Sequence, residues 1–168
     1  MAEFDEERFK EEAQAEIEEQ LDKELDDIAD AIMADAQKNL DKQRLWRSSY
    51  SGKVYTAAIT DTGFLAGSGR VIKEHLKKTI KFDAPYSAGV EFGTPPHMVD
   101  EESIETWTRR KLGVKQKNAR HVAKLIARKI AVHGTDPKPY LRPAIDVHVN
   151  RGEIKYEVTI HGNNHKRR

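Results

Sequence analysis

From about Glu3 to Lys42 the chain contains neither Gly nor Pro, and apolar residues recur at Phe9, Ala13, Ile17, Leu21, Leu25, Ile28, Ile32, Ala36 and Leu40. The steps are mostly four. This pattern predicts one long helix whose apolar stripe drifts around the axis instead of keeping the 3.5-residue repeat of a coiled coil. About 40 residues at 1.5 Å each reach roughly 60 Å, farther than the core of a small domain extends. The helix is therefore expected to lie across a sheet or a neighbouring subunit, with its first turns overhanging.

The pattern breaks over 44–53, and Val54 to Thr60 reads as a short strand from its β-branched and aromatic content. Asp61-Thr62-Gly63 before Phe64-Leu65-Ala66 predicts a short helical turn, with Asp61 or Thr62 accepting from its free N–H groups. Over 70–82, alternation puts Leu76, Ile80 and Phe82 on one face and Lys77, Thr79 and Lys81 on the other, which predicts a strand. A helix competes there. The strand is favoured because Pro85 pushes the residue before it out of helical geometry.

Pro85 to Gly93 is punctuated as a two-turn helix with Tyr86 and Val90 on one face. After the extended loop Thr94-Pro95-Pro96-His97, Asp100 is expected to cap a helix from Glu101 to Leu112 that ends in Arg109, Arg110 and Lys111 before Gly113. A further helix over 118–133 would bury Val122, Ile126 and Ile130, with Leu125 beside them, and close at Gly134. A second Pro-rich loop over 135–139 precedes a short helix starting near Tyr140. Ile154, Tyr156, Val158 and Ile160 alternate with polar residues and predict a strand with one buried face. The expected fold class is α+β: a small antiparallel sheet packed by the long N-terminal helix and two or three further helices. It divides into an acidic helix over 1–43, an α+β domain over 44–161 and a basic flexible tail over 162–168.

With 168 residues, 38% hydrophobic and 34% charged, the composition fits one domain with one extension. The formal net charge of +1 is a cancellation. Residues 1–43 hold 16 acidic against 5 basic side chains, a net of −11, and the rest hold 12 against 24, a net of +12. Such opposition suggests that the two parts meet, in one chain or across copies, or that each faces a different partner. A solvated face is the plainer reading of the Glu-rich run. No apolar run approaches the roughly 20 residues that span a bilayer, and the acidic start lacks the basic flank of a secretory signal, so neither membrane insertion nor export by that route is expected.

The absence of cysteine excludes a disulfide framework, a thiolate zinc site and a cysteine nucleophile. Gly63, Gly67 and Gly69 lack the spacing and the Lys-Ser/Thr of a phosphate loop, and the seven histidines include no His-Glu-x-x-His. No Gly-x-Ser-x-Gly surrounds any serine. No enzyme activity, metal or cofactor is expected. Denser than a solvated face requires is the basic set Arg109, Arg110, Lys111, Lys115, Lys117, Arg120, Lys124, Arg128 and Lys129, with Trp107 beside it. It suits phosphate contacts. Equally, it suits a solubilising surface or one that pairs with the acidic helix of a neighbouring copy.

Two fragments are more specific together than any single motif: DTGFLAGS at 61–68, and YSAGVEFGT at 86–94 answered by PKPYLRPA at 137–144. This arrangement resembles the tail-completion, or neck, proteins of long-tailed phages and related viruses, the gene-product-ten-like family named after an HK-type phage. Their pattern is an acid-Thr-Gly-x-Leu segment, a Tyr-Ala-x-x-Val-Glu-Phe-Gly-Thr segment and a closing Pro-Phe-Leu-Arg-Pro-Ala. The resemblance covers roughly residues 45–147. Asp61, Thr62, Gly63 and Leu65 match the first segment; Tyr86, Val90, Glu91, Phe92, Gly93 and Thr94 the second; Pro139, Tyr140, Leu141, Arg142, Pro143 and Ala144 the third. Phe64 stands where a basic residue is common, Ser87-Ala88 replaces Ala-x, and Tyr140 replaces Phe.

The resemblance implies a virion structural protein, assembled in the host cytoplasm, that forms a homo-oligomeric ring of about six copies between the head connector or stopper and the tail tube. DNA would pass through its centre during packaging and ejection. Glu91 and Arg142 are candidates for an ion pair joining the second and third segments, and Arg109, Arg110, Lys111, Arg120, Lys124 and Arg128 for phosphate or inter-subunit contacts. The alternatives are a non-catalytic nucleic-acid-binding module using the basic 109–129 helices, or a minor tail component.

Overall fold

The computed structural model describes residues 6–47, 52 and 54–149. Helix α1 spans Glu6–Asp41. Its buried residues are Ala29, Ile32, Met33, Ala36 and Leu40, whereas Phe9, Ile17 and Leu21 remain 58%, 64% and 45% exposed. The first turns, up to about Ile17, therefore do overhang. Ala29 and Met33 lie outside the predicted stripe, because its slow drift turns a second row towards the body where the helix crosses it.

Strand β1 (Arg44–Arg47) pairs antiparallel with β2 (Val54–Ala57), Arg44 opposite Ala57 and Arg47 opposite Val54. The pattern predicted β2 but not β1, whose four residues are too few to show a period. Helix α2 (Phe64–Gly67) starts at Gly63, which takes the left-handed conformation at φ +79°. Neither expected cap closes it well: Thr62 Oγ1 accepts from Phe64 N–H only at 3.4 Å, and Asp61 is engaged elsewhere.

The single strand expected over 70–82 is a hairpin. Strands β3 (Gly69–Glu74) and β4 (Lys77–Phe82) pair antiparallel around the two-residue turn His75-Leu76, with Leu76 at φ +53°. The turn contains no Gly, Asn or Asp, and it is held from outside: Asp22 Oδ1 accepts the Leu76 N–H at 2.6 Å. Among the described residues the sheet is thus two separate two-stranded ribbons. Lys78 shares a face with Ile80 and Phe82 along β4 and has a side chain only 6% exposed, with Nζ 2.8 Å from Asp22 and 2.9 Å from Asp26. Lys73 reaches Asp30 at 2.9 Å, and His75 lies 3.7 Å from Glu18. The acids of α1 at every fourth position from Glu18 to Asp30 thus receive the hairpin within one chain.

Helices α3 (Ser87–Phe92), α4 (Glu101–Leu112), α5 (Gln116–His133) and α6 (Arg142–Val149) follow. Asp100 caps α4 by accepting from Ser103 N–H at 2.8 Å, and Gly113 ends it at φ +63°. The core combines Ile32, Ala36 and Leu40 of α1 with Leu65, Ala84, Tyr140, Ala144 and Ile145. His148 Nε2 donates to Asp35 at 2.8 Å and ties α6 to α1.

Helices α4 and α5 pack on each other, with Thr108 buried on one and Ala119, Ala123 and Ala127 on the other. This shifts the predicted buried stripe of α5. Val122, Ile126 and Ile130 are only half-buried and Leu125 is 55% exposed, because small alanines allow the closer approach. The strand expected over 154–160 and the tail over 162–168 lie outside the described residues.

Candidate functional site

The second and third motif segments meet at one carboxylate. Glu91, near the end of α3, is 4% exposed. Its Oε2 accepts the backbone N–H groups of Tyr140 at 2.8 Å and Leu141 at 2.9 Å, and its Oε1 accepts that of Arg142 at 3.1 Å. A helix start leaves its first N–H groups without intrahelical partners and carries partial positive charge. Here Glu91 takes the donors around the start of α6, and Pro143 has none to satisfy. The ion pair expected between Glu91 and Arg142 is corrected accordingly: the pair is joined through the Arg142 backbone. Its guanidinium lies over the Phe92 ring, 5.0 Å from the centroid, in a cation–π contact.

Tyr140 is buried edge-on against Phe82, with ring centroids 5.0 Å apart and planes at 82°. Burial first, and the Glu91 charge second, push its phenol well above the ordinary tyrosine value. Ala144 enters the core, Leu141 packs against it, and Pro139 is half-buried. The Lys138 N–H donates to the Val90 carbonyl at 2.8 Å.

The two Pro-rich loops are clipped together. Thr94 and Thr135 exchange both backbone hydrogen bonds at 3.1 Å, and their hydroxyls lie 2.9 Å apart. Each threonine follows a glycine with positive φ, Gly93 at +72° and Gly134 at +71°. A Cβ on Gly93 would stand 2.5 Å from the Thr135 carbonyl oxygen, and one on Gly134 1.9 Å from that of Thr94. Only glycine lets the loops approach this closely.

The first segment joins the second around a hollow of about 360 Å³, walled by Asp61, Thr62, Gly63, Phe64, Leu65, Tyr86, Val90, Trp107 and Arg110. Leu65 is buried, whereas Phe64 and Tyr86 are exposed with ring centroids 6.3 Å apart. Asp61 accepts from Arg110 Nε at 3.2 Å and Nη2 at 2.5 Å. That fork holds the Asp61 carboxyl below the ordinary aspartate range. Lys111 donates to the Thr60 carbonyl, and Arg109 to Gln116.

The basic candidates therefore separate into two sets. Arg109, Arg110 and Lys111 are engaged within the chain, and two of them fasten α4 to the first segment. Arg120, Lys124 and Arg128 are exposed along α5 and form no ion pair among the described residues. Sequence reasoning missed the Asp61–Arg110 fork, the Thr135 side of the clip, and the Asp22–Lys78 contact. Only the last had a signal, in the four-residue spacing of the acids. Among the described residues no cluster of His, Asp or Glu could hold a metal ion, and no helix is long and apolar enough to cross a membrane.

No protein-family model matches the chain, and no curated protein or solved structure does so either.

Proposed function

We propose that the chain is a virion structural protein of the head-to-tail joint, a tail-completion protein that forms a ring between connector and tail tube and lets DNA pass. One observation carries this reading. The segments over 61–65, 86–94 and 139–144, on which the family resemblance rests, converge on a single joint around α3 rather than being scattered over the fold. Glu91 joins the second to the third, and the hollow joins the first to the second. Motifs that cooperate in one joint are expected when they arise from a shared architecture.

Negative-stain imaging and light scattering of the chain, alone and with connector and tail-tube proteins, test the reading. Rings are expected, alone or on the partners, with acidic rather than basic residues facing the bore, since a passing polyanion must not be held. Persistent monomer with both partners present overturns it. The second reading, a nucleic-acid-binding module, is favoured by the exposed Arg120, Lys124 and Arg128, which form no ion pair among the described residues. Tight duplex-DNA binding with a steep salt slope would support it, whereas a traversed channel binds weakly.

A further inference from the structure

We propose that the overhanging first turns of α1 dock on the outer face of α5 in a second copy of this chain. The proposal deepens the ring reading and rests on it only for closure of the contact into a ring.

Both surfaces are apolar at their centre and charged at their flanks. On α1, Ile17 just beyond the hairpin and Leu21 at its edge continue the apolar stripe and are exposed. Residues 6–21 hold seven acidic against two basic side chains, a net of −5. Arg8 and Lys10 are already paired with Glu12 and Glu6, while Glu7, Glu11 and Glu16 form no ion pair among the described residues. On α5, Leu125 and Val132 lie seven residues apart on the face opposite the buried alanines, 55% and 58% exposed. Residues 116–133 hold five basic side chains and no acidic one, a net of +5.

Opposite charge around two apolar strips fits each to the other as a partner. The contact belongs between copies. Helix α1 is continuous from Glu6 to Asp41, so its first turns project beyond the residues that fix it to its own core. Such a contact is heterologous: each copy offers its helix to one neighbour and its α5 face to the other, which generates a closed ring or an open chain according to the rotation between copies.

Charge reversal in the full chain tests this. One variant carries Glu7→Lys, Glu11→Lys and Glu16→Lys; the other carries Arg120→Glu, Lys124→Glu and Arg128→Glu. All six side chains are exposed, and circular dichroism checks that both variants fold. Sedimentation should show each variant at least tenfold weaker in self-association than the native chain. An equimolar mixture should recover the association, because reversed helix then meets reversed α5 and native helix meets native α5. The chain lacks cysteine, so Ile17→Cys mixed with Leu125→Cys should give a disulfide-linked dimer under oxidation, more than either variant alone.

Failure of the mixture to recover association, or absence of that cross-link up to the solubility limit, overturns the docking. Loss of DNA binding in the α5 variant with self-association unchanged also overturns it and assigns the face to nucleic acid. Rings without the cross-link leave the ring reading standing and the docking refuted. Cross-linked open chains that never close, even on connector and tail tube, support the docking and refute the ring.

Discussion

Glu91 concentrates the joint in one side chain, since its two oxygens take three backbone N–H groups that would otherwise be buried without partners. Glu91→Gln replaces one acceptor by a donor facing those groups and should cost about 1–3 kcal/mol in urea unfolding, with Glu91→Ala at least as costly. Leu76 makes the opposite case. Its positive φ disfavours a residue with a Cβ, so Leu76→Gly should raise the unfolding free energy measured in urea by roughly 0.5–1 kcal/mol. The sequence marked Glu91 and Arg142 as meeting, but it assigned the contact to the wrong atoms. Backbone N–H groups carry no residue identity, and a carboxylate between two distant segments suggests a cation first. The Leu76 turn was illegible for a related reason, because its support comes from Asp22 on another element.

At the scale of elements, most of the helices and the strand character of 70–82 were legible from periodicity and from Gly, Pro and Asp punctuation. The pairings were not. A hairpin without a turn residue and a four-residue strand acquire their form from what they pack against. The docking of β3 and β4 on α1 has a pH signature. The Lys78 ammonium and the Leu76 N–H hold the Asp22 carboxyl below the ordinary aspartate value, so its contribution is present above that value and is lost as pH falls through the lowered one. Asp22 in turn raises Lys78, whose contribution is present below the ordinary lysine value and is lost as pH rises through the raised one. The hairpin should therefore loosen below about pH 4 and above about pH 10.5, seen as faster amide exchange in β3 and β4. Asp22→Asn should remove most of the acid limb, and Lys78→Met the alkaline limb. The glycine clip offers a second comparison. Gly134→Ala should destabilise by more than about 2 kcal/mol because its Cβ meets backbone, while Gly113→Ala, with nothing within 4 Å, should cost only about 1 kcal/mol for its left-handed conformation.

For the molecule as a whole, the fold resolves the −11 and +12 division of charge into a part neutralised within the chain and a part left over. The hairpin takes Glu18, Asp22, Asp26 and Asp30, and among the described residues an acidic excess remains on the overhang and a basic one on α5. Self-association through those surfaces should weaken as salt shortens the Debye length from about 10 Å at 0.1 M to about 3 Å at 1 M, which sedimentation at several salt concentrations would read. The four-residue spacing of the acids marks a row but not its partner, because the division depends on which acids the hairpin covers. The Thr94–Thr135 bridge has one more consequence. The chain departs from the body and rejoins it at neighbouring points, so α4 and α5 form an excursion with its ends already fastened, and the core draws no residue from it. A chain in which a short Gly-Ser link replaces 95–134 should keep its cooperative unfolding. Away from the Arg110 and Lys111 contacts to Asp61 and Thr60, the surface of this excursion can therefore diverge to suit a new neighbour while the core stays the same.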